Sequence, residues 1–108
     1  MSNQAAFDKA VQIVKDLPAD GEVKPSQDDQ LAFYRLFKQA TEGDITSTRP
    51  GAFDFKGKYK WDAWNKLKGT SKEDAQKQYV ELLEGMLAKA SDADSQKALT
   101  DLRAAKGA

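Results

Sequence analysis

Cysteine and histidine are both absent from the sequence. Without cysteine there are no disulfides and no thiolate nucleophile. Without histidine the chain lacks the commonest general base near neutral pH and the commonest metal ligand. A hard cation would depend on carboxylates, and no stretch alternates oxygen ligands and closes on a glutamate as a calcium loop does. Nothing selects two carboxylates as a hydrolytic pair either. Gly43, Gly51, Gly57 and Gly69 form neither a phosphate-binding loop nor a dinucleotide fingerprint. No apolar run approaches the roughly 20 residues of a membrane span. The opening residues lack the basic-then-apolar order of a secretory signal, and Ser2 stands where myristoylation needs glycine, so a cytoplasmic location is the expectation. At 108 residues there is room for one domain with a thin core, a poor host for a deep catalytic cavity. These exclusions favour a protein that binds a ligand over an enzyme.

A surplus of charge is also missing, since 17 basic and 17 acidic side chains cancel. The global basic excess of a general nucleic-acid binder is therefore lacking. The balance is uneven along the chain. Residues 1–33 carry three basic and six acidic side chains, whereas residues 49–69 carry six basic ones against Asp54 and Asp62. A local excess of this kind suits a small anionic ligand.

Hydrophobic spacing predicts helices. From Gln4 to Leu17, apolar residues recur at intervals of three and four, with Asn3 or Ser2 available as cap and Pro18 and Gly21 as stop. Ser26 followed by Gln27-Asp28-Asp29 is a helix start, and that helix runs to about Thr41–Gly43. The stretch from Asp44 to Phe55 lacks a helical period. Its Ile45, Phe53 and Phe55 are expected to pack down on the helices. A third helix is predicted from near Gly57 to Gly69, with Trp61, Trp64 and Leu67 at every third residue. Ser71 and Asp74 form a capping-box pattern ahead of a fourth helix of about 18 residues. The tail reads as a short fifth helix from about Ala93, with Ala98, Leu99, Leu102 and Ala105 facing the body, or as a fraying end, given its low apolar content. The pattern is that of an antiparallel helical bundle with one non-neighbour crossing.

Two groups carry candidate chemistry. Tyr34 and Lys38 share one face of the second helix, with Leu31 on the same stripe. Together they make a phosphate clamp, or else a half-buried tyrosine beside a solvated lysine. The run Lys56-Gly-Lys-Tyr-Lys60-Trp61, with Trp64 beyond it, suits a nucleotide or a single strand through charge and stacking. It equally suits core tryptophans fringed by lysines. A membrane-surface patch is weakened by the flanking aspartates. Lys56 and Lys58 also oppose the dipole at a helix N-terminus. Tyr79 reads as core, and Lys15 as a lysine complementing the end of the first helix.

Taken together, Tyr34-Arg-Leu-Phe-Lys-Gln-Ala-Thr-Glu-Gly-Asp44, Arg49-Pro-Gly51 and Asp54-Phe-Lys-Gly-Lys-Tyr-Lys-Trp-Asp-Ala-Trp-Asn65, continuing through Leu67-Lys-Gly69 to Ala75, resemble the acyl-CoA-binding protein family. The resemblance spans Phe7 to about Leu87. It implies an all-α, four-helix up-down-down-up bundle over residues 1–90, with residues 91–108 as an extension. It also implies non-catalytic binding of medium- and long-chain acyl-CoA esters by an intracellular carrier and pool former in lipid metabolism. Such a protein needs no metal or cofactor. It is a monomer, takes no nucleic acid, and exchanges its ligand transiently with acyl-CoA-using enzymes or membrane surfaces.

By position, the resemblance implies that Tyr34, Lys38 and Lys60 hold the 3'-phosphate of the CoA ribose. Lys15 and Phe37 border the adenine, and Tyr79 meets the ribose and pantetheine region. Leu31 and Trp61 adjoin the acyl groove. Some positions depart from the family. Phe37 replaces the usual tyrosine, Arg35 stands where a small residue is preferred and can add a cation at the rim, and Gln30 replaces an apolar groove residue. The loop around Ala19–Glu22 is longer than in the family's animal members, and the tail is extended.

Overall fold

The computed structural model describes residues 3–107. Five helices account for the regular structure of these residues: α1 (Gln4–Asp16), α2 (Gln27–Glu42), α3 (Phe55–Asn65), α4 (Lys72–Lys89) and α5 (Ala93–Lys106). The helix starts follow local chemistry. At α2 the reciprocal box is complete, with Ser26 Oγ accepting from Asp29 N and Asp29 Oδ2 accepting from Ser26 N, both at 3.0 Å. At α4, Ser71 Oγ accepts from Asp74 N. At α1, Ser2 lies outside the described residues, and Asn3 forms no side-chain cap. Its amide donates instead to the carbonyl of Glu73 on α4.

The third helix differs from expectation at both ends. It begins at Phe55, two residues early, because the Asp54 carboxylate accepts from Gly57 N and caps the first turn. A Cβ at Gly57 would lie 2.3 Å from that carboxylate, so glycine is what lets the cap close. The helix ends at Asn65, and single turns carry the chain on to Gly69. The capping carboxylate also offsets the opposition of Lys56 and Lys58 to the helix dipole.

Helix α4 is the central element. It packs against α1, α2 and α5; α3 packs on α2, and α5 on α1 and α4. Three pairings, α1 with α4, α2 with α4 and α1 with α5, thus join helices that are not consecutive, where one non-neighbour crossing was expected. The core runs through Phe7, Ala10, Phe33, Leu36, Tyr79, Leu83 and Leu87. Of the three loop residues expected to pack down, only Ile45 does so. Phe53 and Phe55 are 94% and 73% exposed.

The tail is a packed helix rather than a frayed one. Asp92 caps it by accepting from Ser95 N. Leu99 and Leu102 are buried in the main core, with Ala98 and Ala105 packed against it. Glu84 of α4 accepts from both Arg103 and Lys106. The added loop is tied to the same region, because Glu22 accepts from the backbone N–H and the hydroxyl of Ser91. Leu102 has no exposed surface. Leu102→Ala should therefore lower unfolding free energy by about 2–5 kcal/mol in urea titrations. A loss under about 1 kcal/mol would show that α5 lies outside the cooperative unit.

Candidate ligand-binding face

The face between α2 and α3 is positioned by one buried side chain. Gln39, near the end of α2, has no exposed surface. Its Nε2 donates to Asp44 Oδ1 at 2.9 Å and to the carbonyl of Thr70 at 2.6 Å. Its Oε1 accepts from Trp64 Nε1, which also reaches the carbonyl of Gly43. Asp44 Oδ1 further accepts from Gly69 N. That bond and the Gln39 amide hold the Asp44 carboxyl below its ordinary pKa. Gly43 and Gly69 adopt the left-handed φ values of 81° and 93° that bring these segments together. The end of α2, the turn after α3 and the start of α4 are thus tied at one point.

On this frame the side chains of α3 meet those of α2. Lys60 Nζ lies over the Tyr34 ring, 5.0 Å from its centroid. No carboxylate forms an ion pair with Lys60 among the described residues. Lys38 Nζ lies over the Trp64 ring at 5.4 Å and pairs with Glu42 at 2.6 Å. The hydrogen bond to Glu42 raises the Lys38 pKa, so this ammonium stays charged well beyond neutral pH. The Trp61 indole donates to the carbonyl of Ser47, and Arg49 forms a bidentate pair with Asp62. These bonds hold the preceding loop against α3. They also remove Arg49 from the freely available cations, leaving the lysines to supply the positive surface.

An aromatic path joins this face to α1. The Phe37 ring is 38% exposed and stacks on Phe7, with centroids 6.0 Å apart. Phe7 in turn meets Tyr79 edge-on at 5.2 Å, and Tyr79 meets Phe33 at 4.9 Å. Tyr79 is only 3% exposed, which agrees with its reading as core. It supports the exposed Phe37 ring through Phe7. Leu31 lies half-buried on the Tyr34 stripe of α2, Arg35 is half-buried at the adjacent position round the helix, and Trp61 is half-buried on α3. Lys15 is exposed at the last turn of α1, and none of the ring or ion-pair contacts above includes it. Tyr34, Lys38 and Lys60 are therefore gathered at the α2–α3 junction, while Phe37 stands against α1 and Trp61 against the loop before α3. Residue spacing identified the lysines and Tyr34. It did not reveal the Glu42 counter-charge, the Gln39 junction or the Phe7–Phe37 stack.

Two outcomes follow. Gln39→Leu leaves the Trp64 N–H, Asp44 and the Thr70 carbonyl short of a partner, and should cost about 2–4 kcal/mol in chemical denaturation. Little or no loss would mean the junction does not hold α3. Burial pushes the Tyr79 phenol from 10.0 to about 12. The native state then keeps a proton that the unfolded chain has already released, so stability is unaffected below pH 10 and falls as pH rises toward 12. Over that interval the native protein should lose roughly 2–3 kcal/mol more than Tyr79→Phe, read as the difference between their urea midpoints. Parallel pH profiles would refute the burial argument.

A sequence model of the family described as "Acyl CoA binding protein" matches residues 4–83. Acyl-CoA-binding protein homolog 1 of Caenorhabditis elegans is 51% identical over 84 residues, covering 78% of this chain and 93% of the relative. The acyl-CoA-binding protein of Saccharomyces cerevisiae is 46% identical over 85 residues, covering 79% and 93%. The crystal structure of ACBP from Moniliophthora perniciosa superposes with a TM-score of 0.90 at 55% identity, covering 96% of this chain and 97% of that one. The shared fold with that fungal protein extends over nearly the whole chain, whereas the worm and yeast similarities are shorter.

Proposed function

Since the chain belongs to the acyl-CoA-binding protein family, we propose that it binds medium- and long-chain acyl-CoA esters without transforming them, as an intracellular carrier and pool former. The observation that carries this reading is the unpaired Lys60 ammonium over the Tyr34 ring, one helical turn from Lys38. Two cations and a phenol on a half-buried aromatic surface suit a phosphorylated nucleotide. The phosphate takes charge-assisted hydrogen bonds. Adenine has the half-exposed Phe37 ring to stack on, even though phenylalanine carries no hydroxyl. Lys15 and Arg35 extend the positive rim. Tyr79 acts from beneath, keeping Phe7 and hence Phe37 in position.

The other end of the ligand is apolar. Leu31 and Trp61 border its path, and each shielded methylene contributes roughly 0.8 kcal/mol. Two further methylenes strengthen binding by about tenfold or more until the groove ends. No bond of the ligand changes, so the role needs neither a metal nor a cofactor. Residues 1–90 form the acyl-CoA-binding unit in this reading, and residues 91–108 the extension. No helix among the described residues is long and apolar enough to cross a membrane. We place the carrier in the cytoplasm as a monomer, meeting enzymes or membrane surfaces only transiently.

Calorimetry with palmitoyl-CoA, free CoA and palmitate below micellar concentrations tests the two-part site. Saturable one-to-one binding of the thioester, with much weaker binding of either fragment, is expected. Folded protein that fails to bind the thioester would refute the carrier reading. Lys60→Ala should weaken thioester binding by about 10- to 100-fold with little change in stability. Glu42→Gln should act in the opposite direction. Lys38 must exchange its Glu42 partner for phosphate, so removing that competitor should tighten binding about twofold. Equal losses of folding and binding in Lys60→Ala would overturn the division between head-group contacts and framework.

A further inference from the structure

A second concave site lies away from the α2–α3 face. It is a cavity of about 490 Å³ between α1, the loop after it and α5. This volume is in the range of pockets that enclose a small group or a few side chains. Its floor and walls are apolar, formed by Ile13, Leu17, Val23, Leu87 and Ala98. Around them stand five carboxylates, Asp16, Glu22, Asp92, Asp94 and Asp101, with Lys9 and Lys97 the cations present. Lys97 is already paired with Asp101 at 3.0 Å. Among the described residues the other four carboxylates form no ion pair. Asp16 accepts from Gln12, Glu22 from Ser91, and Asp92 Oδ2 from Ser95 N. The remaining oxygen of Asp92 is buried and has no hydrogen-bond partner.

The site exists because the first loop and α5 meet there. The loop around Ala19–Glu22 supplies one lip, α5 supplies the other, and the Glu22–Ser91 bonds fasten them together. Helix α5 packs on α1 and α4 but not on α2 or α3. The groove therefore does not use the side chains proposed to meet the nucleotide.

We infer that this groove docks a basic segment of a partner protein, with one apolar side chain inserted between α1 and α5 and flanking lysines or arginines facing the carboxylates. Charge complementarity selects the occupant. An apolar peptide leaves the excess of carboxylates over Lys9 and Lys97 uncompensated, and an acidic one is repelled. One anchoring side chain in a pocket with charges at its rim is also how short segments gain affinity from a small contact. The groove itself stands independently of the carrier reading. Its use in ligand hand-over rests on that reading, because a docking surface outside the ligand face stays available while the carrier is loaded.

The test uses the full-length protein, free and saturated with palmitoyl-CoA. The probes are short synthetic peptides with a central leucine or phenylalanine flanked by lysine and arginine, and glutamate-flanked versions of the same peptides. Backbone amide shifts are followed by NMR. Saturable shifts at Ile13, Leu17, Val23 and Ala98 with basic peptides only, in both free and loaded protein, are expected. The variant Asp16→Asn/Asp94→Asn spares the Asp92 cap and should weaken peptide binding about fivefold, with palmitoyl-CoA binding unchanged. Ala98→Leu, which fills the floor, should weaken it without altering charge. The inference is overturned if no basic peptide shifts these residues, if both variants bind as the native chain does, or if the shifts fall on α3. It is equally overturned if the groove residues shift on concentrating the protein alone, which would make a second copy the occupant. A separate palmitoyl-CoA titration reports on the carrier reading, so the two can fail independently.

Discussion

Everything on the α2–α3 face depends on a single amide held out of water. Gln39 is fully buried, and both ends of its side chain are used, in three bonds to three different segments. In a low-dielectric interior such a group tolerates few alternatives, because each missing partner costs about 1–3 kcal/mol. The position of α3 against α2 is therefore sharply defined, even though α3 contributes little to the core beyond Ala63 and Trp64. The same constraint fixes the distance between Lys60 and Tyr34. A small domain with a thin core thus gains through a polar junction the geometric precision that larger proteins obtain from packing.

The electrical neutrality of the chain conceals two surfaces of opposite character. Lysines of α2 and α3 gather around aromatic rings, while carboxylates of α1, the first loop and α5 surround an apolar groove. The ion pairs that do form sharpen this division. Arg49 and Asp62 neutralise each other, and Glu84 offsets one charge of its two basic partners on α5. Such a distribution orients an approaching charged molecule over roughly a Debye length, about 8–10 Å at ordinary ionic strengths. It does so without giving the protein an overall affinity for polyanions.

Much of this was legible in the sequence, for local reasons. Ser26 and Ser71 mark helix starts because their hydroxyls accept from backbone groups three residues away, and the apolar period names Phe7, Phe33, Leu83 and Leu87 as core. Spacing also put Tyr34 beside Lys38 and marked the run from Lys56 to Trp61, and the family resemblance singled out Lys60 within it. What escaped it was decided at long range. Gln39 reads as an ordinary polar residue until Thr70 and Trp64 are folded against it. Phe53 and Phe55 read as buried because aromatic residues usually are, but the Asp54 cap starts α3 early and leaves both rings facing outward. The fifth helix from Ala93, with Ala98, Leu99, Leu102 and Ala105 toward the body, was legible, but that it packs instead of fraying is decided by Glu84 opposite its basic end. The groove beside it arises from two segments more than 60 residues apart and has no local signature.

The packing of α3 on α2 alone has a further consequence. With the loop before it fastened by Trp61 and Arg49, α3 is attached to the body through α2, by the Gln39 junction, the buried Trp64 and the two lysine–ring contacts. Parting α3 from α2 exposes less apolar surface than global unfolding, and its main cost is the loss of the Gln39 bonds. Because Lys60 stands on α3 and Tyr34 on α2, any molecule that met both would fasten the same pair of helices a second time, from outside.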